Sequence, residues 1–245
     1  MCSSKVFTNF LFLVSLALLV QSSFGANPLG YSSLNSENFT AGSSYESNLN
    51  TLIRILIYRT HLKGFMNYSE GNFQFTQKAY GLTLCRGDVS VSECKTCVSE
   101  ATKEIRKQYP YNKGAIIWYD NCMFRYSDEY FFGNIGNYVR LYMWNVKDAS
   151  DPATFNQNTK QLLSQLAQQA FSNPKLYATG EQNLDNFVLY GLTQCTRDLS
   201  STDCKNCLDT IINELPNCCN RKEGGRILGE SCNFRYEIYP FFVKK

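Results

Sequence analysis

Cys85-Arg-Gly-Asp-Val-Ser-Val-Ser-Glu-Cys94-Lys-Thr-Cys97 and, 110 residues on, Cys195-Thr-Arg-Asp-Leu-Ser-Ser-Thr-Asp-Cys204-Lys-Asn-Cys207 carry one cysteine frame in two copies. Cys122 and Cys232 complete the frame at the same offset, and the flanks repeat with it. Tyr80-Gly81-Leu82-Thr83 returns as Tyr190-Gly191-Leu192-Thr193, Phe124-Arg125-Tyr126 as Phe234-Arg235-Tyr236, and the Tyr45/Asn48 pair as Phe155/Asn158. A period of this length is that of a domain, too long for a solenoid unit. The chain therefore reads as a tandem of modules, the first over 26–135 and the second over 143–242.

Working outward from the frame, Ser90-x-x-Glu93 and Ser200-x-x-Asp203 read as starts of helices, the aspartate form being the weaker capping box. Behind them run stripes of Cys97, Val98, Ala101, Ile105 and of Cys207, Leu208, Ile211, Leu215. An earlier helix in each copy is marked by Leu49, Leu52, Ile53, Leu56 and by Leu162, Leu163, Leu166, Ala170. Strands are expected at 72–84, 115–119 and 123–126, and in the second copy around 187–193, 227–228 and 233–239. In the last of these Phe234, Tyr236 and Ile238 should enter the core, with Arg235 and Glu237 facing water. The fold class is α+β, repeated.

Residues 1–25 have the order of a secretory signal peptide: Lys5, an apolar run over 10–20, then small residues with a cut expected between Gly25 and Ala26. The run is too short for a membrane span, and no later stretch is apolar over the required length, so no membrane anchor is expected. Removing the leader takes Cys2 and leaves ten of the eleven cysteines. An even number in an oxidising compartment points to disulfides. If both modules use equivalent bridges, the four cysteines of the first must pair among themselves. Cys94 and Cys97 share a helical face, which suits two bridges leaving that helix: Cys85 to Cys94 and Cys97 to Cys122, repeated as Cys195 to Cys204 and Cys207 to Cys232. Such closed loops are worth about 3 kcal/mol each. Cys218 and Cys219 have no counterparts in the first module. They could pair with each other, bridge across modules or join a second chain.

The composition excludes much. Net charge is +3, near neutral, and Lys103, Arg106 and Lys107 are offset by Glu100 and Glu104, so no nucleic-acid footprint exists. His61 is the single histidine. It leaves few nucleophile–base or metal arrangements, and neither an enzyme nor a cofactor is expected. Asp120 and Glu230 precede Cys122 and Cys232 at the same distance and read as ordinary solvated carboxylates. Gly224-Gly225 reads as a turn opening a strand. The two Cys-x-x-Cys pairs invite a thiol-exchange reading, but they lack a thioredoxin-like strand-to-helix setting. Arg226 and Glu237 could clasp sugar hydroxyls through directional hydrogen bonds, or form a surface ion pair on a sheet. Asn38-Phe-Thr and Asn67-Tyr-Ser are N-glycosylation sequons in the first module only.

The Cys-x8-Cys-x2-Cys triplets with these flanks, together with 119–126, Ala178-Thr179-Gly180-Glu181 and Pro216-Asn217-Cys218-Cys219, resemble the duplicated ginkbilobin-2-homologous domain of plant cysteine-rich repeat secretory proteins. The resemblance implies two helices on a five-stranded antiparallel sheet in each module and secretion to the apoplast. It also implies a role in defence or stress, with an extracellular glycan or protein as partner; the same tandem forms receptor-like kinase ectodomains. The oligomeric state is not read from it. A mannose site in this family uses an asparagine, an arginine and a glutamate. The last two correspond to Arg226 and Glu237, while the asparagine has no clear equivalent in the second module, which also lacks the family's early cysteine. In the first module the corresponding arginine and glutamate positions hold Ile116 and Ser127, and two family cysteines are replaced near Ser33 and at Tyr109.

Overall fold

The structure, a computed structural model, describes residues 27–34, 37–72, 77–184 and 187–243. The leader and Cys2 lie outside the described residues. In the first module α1 (Ser44–Lys63) begins where the Ser43 hydroxyl accepts from the Glu46 N–H. It ends at Gly64, whose φ of 71° lets its N–H return to the Thr60 carbonyl. The helix α2 (Val91–Gln108) carries the reciprocal Ser90/Glu93 capping box. In the second module Asp151 caps α3 (Pro152–Ser172), Ser200 caps α4 (Ser201–Asn213), and one further turn, α5 (Leu215–Cys218), follows.

Strands β1 (Gly30–Ser33), β2 (Phe65–Glu70), β3 (Ala79–Cys85), β4 (Ala115–Trp118) and β5 (Cys122–Ser127) form an antiparallel sheet ordered β1-β4-β5-β3-β2. Strands β6 (Arg140–Trp144), β7 (Tyr177–Leu184), β8 (Phe187–Cys195), β9 (Gly225–Gly229) and β10 (Cys232–Glu237) repeat that order as β6-β9-β10-β8-β7. The α+β tandem is the fold expected from the repeat. The central strands fall where the apolar runs place them, whereas the edge strands β1, β2, β6 and β7 are not among the expected strands. The strand expected from Asn72 begins at Ala79.

Bridges Cys85–Cys94 and Cys97–Cys122 fasten α2 to β3 and β5, and Cys195–Cys204 and Cys207–Cys232 fasten α4 to β8 and β10. Cys218 is joined to Cys219. Between helices and sheet lies the core of each module, with Leu49, Leu52, Leu56, Val98, Ile105, Phe124 and Tyr126 in the first. Leu163, Leu166, Leu208, Ile211, Phe234 and Tyr236 fill the second.

The other face of each sheet is also covered. Leu82, Leu84, Ile116, Trp118 and Met123 of the first sheet pack with Leu228, and with the half-buried Leu141 and Met143, of the second. The molecule is thus layered helix, sheet, sheet, helix. Burying each such side chain contributes about 1.5–3 kcal/mol, and several together rival the whole stability of a small domain. The modules are therefore one unit. The Trp118 indole N–H donates to the Gly229 carbonyl at 3.1 Å, and the Gln194 amide donates to the Cys85 carbonyl at 3.0 Å. Gly87 lies flat beneath the Tyr177 ring, where a Cβ would come within 2.4 Å.

The union obeys the 110-residue offset. The Gly133 N–H donates to Asp198 at 2.9 Å, and the Val243 N–H donates to Asp88 at 3.0 Å. Arg125 lies over Phe131 at 4.0 Å, and Arg235 over Phe241 at 4.2 Å. Tyr80 meets Phe132, and Tyr190 meets Phe242, each at 5.9 Å between centroids. The segment after each module's last strand packs its aromatic rings on its own sheet and reaches the other module through one backbone N–H, of Gly133 or of Val243. This corrects two expectations. Arg235 and Glu237 face the partner sheet rather than bulk water, with side chains 13% and 8% exposed. Glu230, read as a solvated carboxylate, is 1% exposed. A repeat offset says which residues are equivalent, but not that they meet across a module boundary.

Candidate functional site

The turn at Gly224-Gly225 opens β9, and antiparallel register sets Arg226 opposite Arg235 of β10. Two guanidinium groups side by side repel, so an anion must lie between them. It comes from the first module: Asp120, in the β4–β5 turn, accepts from Arg226 at 2.8 Å and Arg235 at 3.2 Å on one oxygen, and from Arg86 at 3.1 Å on the other. Arg235 also donates to Glu237 at 3.0 Å and to the Tyr239 hydroxyl at 3.2 Å. Arg86 is held in turn by both oxygens of Asp88, at 2.7 and 3.0 Å. Glu237 fits because residue 224 is glycine: a Cβ there would fall 1.9 Å from its Oε2.

Burial disfavours the charge of Asp120, yet Arg235, Arg226 and Arg86 outweigh that and hold its carboxyl below the usual range. Burial first, and Arg235 second, push the Arg226 guanidinium below its ordinary value. Asp120 keeps 44% of its side chain exposed. The cluster thus forms the wet rim of a cleft between the sheets, floored by Leu84, Trp118, Leu192 and Leu228. Arg226 and Glu237 fall in one network linked through Arg235, rather than bonded directly to each other. Sequence reasoning alone does not single out Arg86, Asp120 or Arg235 as site residues. The signal available was the recurrence of Asp120/Arg125 as Glu230/Arg235, an acid and a base five residues apart in both copies.

Cys94 and Cys97 lie on one face of α2, each bonded to a strand cysteine and not to the other. Cys219 is buried and lies 3.8 Å from the Met143 carbonyl. Asn38 is exposed in a bridge to Asn112, and Asn67 is half-buried on the edge strand β2. Ile116 is enclosed between the sheets, and Ser127 ends β5 with its hydroxyl accepting from the Glu129 N–H. Among the described residues no helix is long and apolar enough to cross a membrane, and no three metal-ligating side chains converge.

Comparison with known proteins matches residues 32–129 and 144–239 to the family model described as salt stress response/antifungal. An antimicrobial ginkbilobin-2-like protein of Castanea crenata is 52% identical, over 98% of this chain and 99% of the relative. Cysteine-rich repeat secretory protein 38 of Arabidopsis thaliana is 54% identical over 83% of this chain and 81% of the relative. Among solved structures, the tandem DUF26 ectodomain of the Arabidopsis thaliana cysteine-rich receptor-like protein PDLP8 superposes with a TM-score of 0.78 at 24% identity. It covers 87% of this chain and 98% of its own. The corresponding ectodomain of PDLP5 gives 0.73 at 25% identity, over 87% and 100%.

Proposed function

We propose a function from one premise: the chain belongs to the salt stress response/antifungal family, and is a secreted, non-catalytic, defence-related recognition protein. Its ligand is a neutral, mannose-like sugar of the apoplast, taken by the second module through Arg226 and Glu237. The observation that carries this reading is the shared network at the cleft rim, where the Arg226 guanidinium and the partly exposed Asp120 carboxylate line the cleft and Arg235 holds the buried Glu237 carboxylate behind them. Vicinal hydroxyls can accept from the guanidinium and donate to a carboxylate. The first module offers neither group at the matching positions, where Ile116 and Ser127 stand. Glycan-array binding followed by calorimetry tests it: Arg226→Ala and Glu237→Gln should each weaken sugar binding at least tenfold. Unchanged affinity in both folded variants removes the site.

A second reading, docking of an extracellular protein, is favoured by Tyr142, Trp144 and Val146. These side chains stand exposed along and just beyond the edge strand β6, and aromatic residues of this kind commonly anchor interfaces. Loss of partner capture on Trp144→Ala, with sugar binding intact, would select it.

A further inference from the structure

A different cleft between the modules concentrates positive charge. Its walls are the C-terminal turn of α1, the loop leading into α2, and two residues of the second module, Lys175 and Arg197. His61, Lys63 and Arg86 line it from the first module, and no carboxylate does. Arg86 is neutralised by Asp88 and Asp120. Lys63, Lys175 and Arg197 form no ion pair with any described residue. Arg197 spends one nitrogen on the Lys63 carbonyl, at 2.8 Å. Its Nε, like His61 Nδ1, is shielded from solvent and has no partner. Burial alone pushes the Arg197 guanidinium below its ordinary value, the mark of a charge held without a counter-charge.

The pseudo-equivalent positions sharpen the point. At the 110-residue offset Lys63, Arg86, Lys175 and Arg197 become Asn173, Thr196, Phe65 and Gly87. None of the four cations is repeated as a cation at its equivalent position, so they are not a demand of the fold.

We infer that this cleft, bounded by Lys63, Lys175 and Arg197, binds the carboxylate groups of an acidic saccharide chain. Repeated carboxylates match cations on opposite walls, and hydroxyls match the exposed polar lining. A peptide would also require side-chain pockets, and the apolar residues here are few, Leu62, Val89 and Val91 among them. With a chain charge of only +3 the attraction is local and must weaken with salt as surface charge pairs do.

The test is calorimetry of the intact secreted protein with a galacturonic acid decamer, its fully methyl-esterified form and poly-glutamate of similar charge. Binding of the acid, at least tenfold loss on esterification and at least tenfold loss in the Lys63→Gln/Lys175→Gln variant are expected. Both lysines are exposed, so that variant should fold. Excess mannose should leave the acid bound, which separates this site from the one at Arg226. Three results would each overturn the assignment: equal binding of the ester, unchanged affinity in the double variant, or no binding of the acid at low salt. Tighter binding of poly-glutamate would replace the saccharide by a protein and equally overturn it.

Discussion

Arg125 with Glu230 and Arg235 with Asp120 are the same clasp seen from the two modules, equivalent at the 110-residue offset and facing each other across the sheets. The first is sealed: its charges meet at 2.9 Å with side chains 9% and 0% exposed. Glu230 also accepts the Tyr138 and Val139 N–H groups at 2.7 and 2.8 Å, fixing the chain between the modules. The second is wet, shares its carboxylate among three arginines, and borders the candidate sugar site. Identical origin has thus given one clasp to stability and left the other open to competition by a ligand.

Removing each acid should expose that division. Glu230→Ala strands a buried guanidinium and two backbone donors, and should cost about 3–5 kcal/mol in urea unfolding. Asp120→Ala, where water can replace the carboxylate, should cost about 1 kcal/mol or less. Similar losses would abolish the distinction.

A smaller contrast lies in the cores. Thr83 bonds Thr60 and the Met66 carbonyl, whereas its equivalent Thr193, also fully buried, faces Ala170 at Thr60's position and has no partner for its hydroxyl. Thr83→Val should therefore destabilise by about 1 kcal/mol, and Thr193→Val should be neutral or stabilising. Matched thermal melts of the two variants decide it.

The least effect is that of acid. A carboxyl held below its unfolded pKa, as Asp120 is by the three arginines, adds stability that is complete above that unfolded value. That increment is lost as pH falls through the lower, folded value. The difference in melting temperature between the native protein and Asp120→Asn should accordingly shrink below about pH 4, where the unfolded chain begins to protonate. A constant gap down to pH 2 would assign the effect of Asp120 to shape rather than charge.

The modules, their class and the central strands were legible because cysteine spacing and apolar periodicity are local signals. The edge strands were not: β2, reading Phe65-Met-Asn-Tyr-Ser-Glu70, is half-buried throughout and carries no clean alternation. The sheet-to-sheet contact had a signal in Ala115-Ile116-Ile117-Trp118, since consecutive apolar residues in a strand mean that both faces are covered. For the candidate sites the sequence supplied Arg226 and Glu237 but neither their meeting with Asp120, Arg86 and Arg235 nor the convergence of Lys63 with Arg197. Those depend on how the modules dock, and the separation of Lys63 from Arg197 along the chain exceeds a hundred residues.

The crossing of each terminal segment onto its neighbour has a consequence for dissection. A half expressed alone would show Leu84, Ile116 and Trp118, or their counterparts around Leu228, to solvent, with the tip of its strap, Gly133 or Val243, unpaired and an empty dock for another. Two such halves carry complementary straps and docks, so they should dimerise by swapping. What assembles would be a noncovalent imitation of the intact tandem.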